Sequence, residues 1–187
     1  MARILKEKKY ANGTPKSRET LIDDQVGKRV TRKEAWHDNS QQYYKWNYVN
    51  GREHGLQEYW YENGQQQNKY NHVNGQQHGP QETWYDNGKP EYKWNFVNGQ
   101  KHGPQESWYE NGKPEYKENY VNGQQHGIQE TWHRNGQQLY KEYYLDGVEV
   151  SQETYQAYIQ GLAPQTQAAL DLEEPNLSRI IAGYLLP

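Results

Sequence analysis

Residues 74–97 read NGQQHGPQETWYDNGKPEYKWNFV, and residues 98–121 read NGQKHGPQESWYENGKPEYKENYV. The same 24-residue unit stands at 50–73 (NGREHGLQEYWYENGQQQNKYNHV) and at 122–145 (NGQQHGIQETWHRNGQQLYKEYYL), with no insertion or deletion across four copies. Upstream, residues 26–49 keep Gly27, Glu34, Trp36, Asn39, Lys45 and Val49 in register and form a degraded fifth copy. Tyr10-Ala11-Asn12-Gly13 resembles half a copy, three residues out of phase. At the far end Asp146-Gly147 opens another copy that dissolves by Tyr155. A fixed period of this length is the mark of a repeat architecture.

Each unit contains two Asn-Gly turn signals. One set is Asn63-Gly64, Asn87-Gly88, Asn111-Gly112 and Asn135-Gly136; the other is Asn50-Gly51, Asn74-Gly75, Asn98-Gly99, Asn122-Gly123 and Asp146-Gly147. Asn-Gly between β-type stretches is a strong hairpin signal. The stretches between are of strand length and rich in Trp, Tyr, Thr and Val. One unit is therefore one β-hairpin, and the chain is an antiparallel meander. Alternation puts Glu82, Trp84, Tyr92, Trp94 and Phe96 on one parity and Thr83, Tyr85, Lys93, Asn95 and Val97 on the other. A three-residue loop with a left-handed Gly would then gather Trp84, Tyr92 and Trp94 on one face. The expected core is a ladder of Trp36, Trp60, Trp84, Trp108 and Trp132 packed on those rings, with Lys45, Lys69, Lys93, Lys117 and Lys141 in a row on the opposite face.

Composition agrees with a ring-based core. Of 187 residues only 26 are Leu, Ile, Val or Phe, a share found in disordered chains. Net charge is only −3, however, and there are 18 Tyr and 7 Trp, whereas disordered chains are poor in aromatics. The absence of Cys excludes disulfides, thiolate metal sites and a Cys nucleophile. No apolar run is long enough to span a membrane, and MARILKEKK lacks the apolar core of a signal peptide. These features point to an intracellular, cytoplasmic setting. The near-neutral charge balance gives no nucleic-acid signature.

The pattern resembles the MORN repeat, in its shorter variant. Gly99, His102-Gly103, Trp108-Tyr109, Asn111-Gly112 and Tyr116 carry the resemblance, which covers residues 26–150. It implies an all-β repeat fold: an elongated single-sheet solenoid of antiparallel β-hairpins. The chain resembles, more weakly, MORN-repeat proteins of giant viruses of the Marseillevirus kind, which end in a short amphipathic helix. The abundant Gln departs from the usual Lys-rich copies; it says little about the fold but weakens any charge-based reading.

Three segments follow: a divergent N-terminal segment (1–25), the array (26–150) and a helical C-terminal cap (151–187). Ser151 is placed to N-cap a helix over 152–160 that Gly161 ends. From Pro175, the spacing of Leu177, Ile180, Ile181, Tyr184 and Leu185 predicts an amphipathic helix. Such a helix suits a cap on the last hairpin; docking to a partner is the alternative. Residues 1–9, with Arg3, Lys6, Lys8 and Lys9, read as a solvated tail or a basic arm.

Chemistry finds little support. Equivalent residues of successive hairpins lie roughly 10 Å apart, two strand spacings. His54, His78, His102 and His126 therefore cannot share a zinc ion, whose ligands sit about 2 Å away. Glu58, Glu82, Glu106 and Glu130 repeat one environment, so nothing separates an acid from a base. The glycines belong to turns, not to a phosphate loop. Glu91 and Glu115 offset the Lys row. No catalytic residue, cofactor or metal is expected.

The resulting expectation is a non-enzymatic scaffold for protein–protein interaction, with capsid or assembly proteins of a viral particle as candidate partners. Tyr48, Phe96, Tyr120 and Tyr144, toward the strand ends, are the candidate contact residues. A peripheral membrane-lipid tether and an antitoxin-like binding protein are the alternatives.

Overall fold

The computed structural model of the protein describes residues 2–23 and 29–161. The second amphipathic stretch, from Pro175 onward, lies outside them. Among the described residues there are fourteen strands and one helix in one open antiparallel sheet, taken almost in chain order. The strands are β1 (Ala2–Lys9), β2 (Pro15–Asp23), β3 (Arg29–Trp36), β4 (Gln42–Val49), β5 (Arg52–Trp60), β6 (Gln66–Val73) and β7 (Gln76–Trp84). They continue with β8 (Pro90–Val97), β9 (Gln100–Trp108), β10 (Pro114–Val121), β11 (Gln124–Gln125), β12 (Gly127–Trp132), β13 (Gln138–Leu145) and β14 (Val148–Val150). The helix α1 spans Gln152–Gln160. The chain divides into two compact units at Lys93/Trp94.

Two turn types alternate as the sequence requires. Val49 pairs with Arg52 across Asn50-Gly51, whose φ angles are 51° and 78°. Two consecutive positive φ values make the tight turn whose twist matches the flanking strands. The other turn is the expected three-residue loop. The Tyr61 N–H donates to the Gln65 carbonyl at 2.9 Å, and the Gly64 N–H donates to the Tyr61 carbonyl at 2.9 Å, with Gly64 at φ 82°. In the degraded copy Ser40 occupies that left-handed place, at φ 71°.

The assignment of faces differs from expectation, and a single extra residue per hairpin is the reason. Next to the loop Trp60 pairs with Gln66, but the following pair is Tyr59–Asn68, so Gln67 is bulged out. The same slip follows Trp36–Gln42, Trp108–Pro114 and Trp132–Gln138. An inserted residue reverses the parity of everything beyond it. In the first unit Trp36, Trp60 and Trp84 therefore share a face with Lys45, Lys69 and the Glu column, opposite Tyr44, Trp46 and Tyr70. In the second unit Trp108 and Trp132 lie with Lys117 and Lys141, whereas Trp94 bonds Tyr116 on the other face and Phe96 follows by alternation along β8. The Lys row is thus beside the Trp column, not behind it. We call the two sides the tryptophan face and the ring face.

Side-chain amides hold these irregularities together. Gln66 Nε2 donates to the carbonyls of Tyr59 (3.0 Å) and Asn68 (2.8 Å), flanking the bulge; Gln42 does the same with Ala35 and Tyr44. Glutamines are also among the most deeply buried residues: Gln57, Gln81, Gln105 and Gln129 are 3%, 1%, 0% and 5% exposed. Each donates Nε2 to the carbonyl of an Asn on the preceding strand, at 2.7–3.0 Å. Glutamine is therefore a core residue of this sheet, contrary to the reading that its abundance says little about fold. Burial without strain requires such pairing.

The half-copy at the N-terminus is a complete hairpin. Tyr10 and Gly13 make the same loop bonds as Tyr61 and Gly64, and Tyr10 Oη donates to the Trp36 carbonyl at 3.0 Å. Tyr61 and Tyr109 reach Trp84 and Trp132 in the same way, at 2.8 Å. Asp23 pairs with Arg29, leaving five residues between β2 and β3 where later connections have two; this is the three-residue phase offset. Residues 2–9 form an edge strand, not a tail. At the other end Ser151 caps α1 as expected, its Oγ accepting from the Thr154 N–H at 3.2 Å. Buried Tyr155 packs on Tyr143, 5.4 Å between rings. Tyr143 pairs with Ile128, one residue out of step with Gly127 and Gln129, so α1 sits on the tryptophan face.

Candidate functional site

The ring face is where alternation and the bulges bring the large side chains together. In the first unit Tyr44 and Trp46 stack at 4.1 Å, and Tyr59 meets Trp46 edge-on at 5.6 Å. Lys33 Nζ lies 5.0 Å from the Tyr48 ring centre. Offset and edge-on ring pairs each add about 0.5–1.5 kcal/mol beyond the area they bury. In the second unit Trp94 Nε1 donates to Tyr116 Oη at 2.8 Å, and Lys101 Nζ lies 4.7 Å from the Tyr120 ring centre and 5.7 Å from that of Trp94.

Burial raises the phenol pKa of Tyr44, Tyr48 and Tyr59 above the ordinary value. Tyr120 is pushed up to about 12, first by burial and then by Glu118, whose carboxylate accepts a hydrogen bond from the Tyr120 hydroxyl at 3.1 Å. Tyr144 is raised by burial and then by Glu142 and Glu149. These phenols stay protonated near neutrality, and those of Tyr120 and Tyr144 act as hydrogen-bond donors to carboxylates.

Each unit carries its candidate contact residues on its own ring face: Tyr48 in the first, and Phe96, Tyr120 and Tyr144 in the second. Tyr48 pairs with Thr31, Tyr120 with Gly103 and Tyr144 with Gly127, which fixes their parity. Phe96 differs from the other three: it is 9% exposed and belongs to the packing of the sheet. Tyr48, Tyr120 and Tyr144 are half-buried, with Lys33 over the Tyr48 ring and the Tyr120 and Tyr144 hydroxyls bonded to Glu118 and Glu142.

The tryptophan face is a charge ladder. Lys45 meets Glu58 at 3.7 Å, Lys117 meets Glu106 at 3.6 Å and Lys141 meets Glu130 at 3.2 Å. The Glu column, directly opposite in register, offsets the Lys row; Glu115 instead accepts from Ser107 Oγ at 3.0 Å. Exposed pairs of this kind contribute about 0–1 kcal/mol each. Histidines of the repeated His-Gly pair are occupied by turns in three copies, those of His54, His102 and His126. Nδ1 of His54 and of His102 accepts the backbone N–H of Asn74 and Asn122, each at 3.4 Å. Among the described residues no cluster of three metal-ligating side chains occurs. No helix there is long and apolar enough to cross a membrane.

Sequence reasoning missed two groups. The buried Gln column carried a signal, since Gln recurs at one fixed place in every full copy. Glu118 and Glu142 replace ring residues in the last two copies, and their place on the ring face depended on the bulge.

Residues 53–74, 77–98, 101–122 and 125–146 each match the family model described as the MORN repeat variant. No curated protein matches the chain significantly. Residues 53–146 thus carry four copies of the MORN repeat variant, a non-catalytic module that generally mediates protein or membrane-lipid interaction.

Proposed function

We propose that this MORN-repeat array is a non-enzymatic scaffold that holds a partner protein against its ring face. One observation carries the reading. The ring face gathers half-buried Tyr and Trp side chains in each unit, and no helix or second sheet among the described residues packs on it. Tyr and Trp give large contact area at low entropic cost and keep a polar tip for orientation. The partner-binding residues are Tyr48, Tyr120 and Tyr144, with Phe96 supporting them from within the sheet. A lipid tether fits less well in the second unit, where Glu118, Glu142 and Glu149 would repel anionic headgroups. The setting proposed is intracellular, in keeping with a chain without Cys. A narrower form, an assembly component of a viral particle, rests on the weak family resemblance alone.

The test is affinity capture with the full chain as bait, beside flotation with vesicles of phosphatidylcholine and phosphatidylserine. A protein retained stoichiometrically, lost on Tyr48→Ala with Tyr144→Ala, and no flotation are expected. Flotation with no captured protein overturns the reading in favour of the tether. A single partner held at sub-nanomolar affinity would favour the antitoxin-like form.

A further inference from the structure

One position of the repeat forms a slot on the ring face. Glu53 stands opposite Tyr48, Gln77 opposite His72 and Gln125 opposite Tyr120. In the first unit one of these side chains reaches the equivalent ring of the next hairpin. Glu53 meets His72, Oε2 to Nε2, at 3.4 Å. One such slot in the second unit holds a cation. Lys101 Nζ lies over the rings of Tyr120 and Trp94 and 3.8 Å from Glu118 Oε2. An ammonium between ring faces and a carboxylate is held by both the ring quadrupole and the charge.

Advance that slot by one period. Lys101 becomes Gln125, Tyr120 becomes Tyr144, Glu118 becomes Glu142 and Trp94 becomes Glu118. The last slot therefore has Glu118, Glu142 and Tyr144 where its predecessor has Trp94, Glu118 and Tyr120. Its own occupant is neutral. Glu118 and Glu142 are on strands two spacings apart, about 10 Å, and Glu118 is already paired with Lys101, so Glu142 is the carboxylate left to meet a cation in the last slot. Tyr120 and Tyr144 hydroxyls donate to these carboxylates and fix them, at 3.1 and 3.3 Å. Glu149, opposite Tyr144, adds a third negative charge on the same face. Among the described residues no cation lies within ion-pair distance of Glu142 or Glu149, and α1 covers the other face.

We propose that this last slot receives a lysine or arginine side chain from an extended basic segment of a partner protein, in the arrangement Lys101 shows one repeat earlier. The proposal rests on the scaffold reading and supplies the chemistry of the partner. Charge complementarity selects the occupant: the slot is a half-buried site with excess negative charge, and the preceding slot shows that its geometry suits an alkylammonium.

The experiment measures binding of a fluorescent hexalysine peptide to the full chain at low salt. Gln125→Lys fills the slot from within, as Lys101 does, and is expected to weaken binding at least tenfold. Gln124→Lys adds the same charge on the opposite face and is expected to stay within twofold of wild type. Glu142→Gln should weaken binding several-fold, and carries the test should Gln125→Lys fail to fold. Equal losses for Gln124→Lys and Gln125→Lys overturn the proposal, since they indicate net charge alone. Flotation with phosphatidylcholine vesicles, abolished by Gln125→Lys and without hexalysine binding, also overturns it in favour of a lipid headgroup. A Gln125→Lys bait that captures the wild-type partner undiminished overturns this slot but not the scaffold; a wild-type bait that captures nothing overturns the scaffold.

Discussion

Gln57 and Asn47 clasp each other across two neighbouring strands: Gln57 Nε2 donates to the Asn47 carbonyl at 2.7 Å, and the Asn47 N–H donates to Gln57 Oε1 at 3.1 Å. Gln129 and Asn119 repeat the arrangement, with both bonds at 3.0 Å. The clasp exists because the register between β4 and β5 slips between Trp46 and Tyr48, so the Asn47 backbone faces no partner residue. A side-chain amide, which carries both N–H donors and a carbonyl acceptor, replaces the missing ladder bonds.

Removing that amide strands two backbone groups. Gln57→Ala is expected to cost about 2 kcal/mol in urea unfolding, the scale of a buried unsatisfied group plus lost packing. Gln57→Glu should cost more at pH 7, because a carboxylate would face the Asn47 carbonyl, and the difference should shrink toward pH 4 as it protonates. Equal stabilities for wild type and Gln57→Ala would remove glutamine from the core.

Ser40 holds a left-handed φ of 71° in the loop where the other copies have Gly. Left-handed backbone costs a side-chain-bearing residue about 1–2 kcal/mol, partly offset by the unfolded-state entropy of Gly. Ser40→Gly should therefore raise stability by about 0.5–1 kcal/mol, read as a higher denaturation midpoint at unchanged slope. A lower midpoint would show that the Ser40 side chain contributes more than its strain costs.

Burial separates two ring residues that the sequence treats alike. Phe96→Ala should cost about 3 kcal/mol, the low end for a buried ring lost from a core. Tyr144→Ala should cost under about 1 kcal/mol, as for most substitutions away from the core, while reducing partner capture. Calorimetry and capture on both variants check this; a large stability loss for Tyr144→Ala with capture intact would reverse their roles.

Folding raises the Tyr120 pKa from 10.0 to about 12, so the folded chain holds this proton more tightly than the unfolded one. The associated stability is complete below pH 10 and is lost as pH rises toward 12. Tyr120→Phe should lose less stability than wild type between pH 9 and pH 11.5, measured as the shift in urea midpoint. Absorbance at 295 nm should show one phenol fewer titrating late in the variant.

Period, turn types and hairpin identity were legible in the sequence because they are local. Asn50-Gly51 and Asn63-Gly64 each carry their turn in two or three residues, and 24-residue spacing follows from counting. The cap at Ser151 was legible for the same reason. Which rings share a face was not. Gln67 and its equivalents bulge one pair away from the loop, and nothing in Gln-Gln-Gln or Lys-Pro-Glu marks which residue leaves the ladder. A bulge is chosen by pairing between strands, where the Gln66 amide can meet the carbonyls of Tyr59 and Asn68 and the Trp column can lie beside the Lys–Glu ladder. Because side chains alternate with period two, that one nonlocal choice placed every tryptophan of the column on one side and placed Tyr48, Tyr120 and Tyr144, with Glu118 and Glu142, on the other.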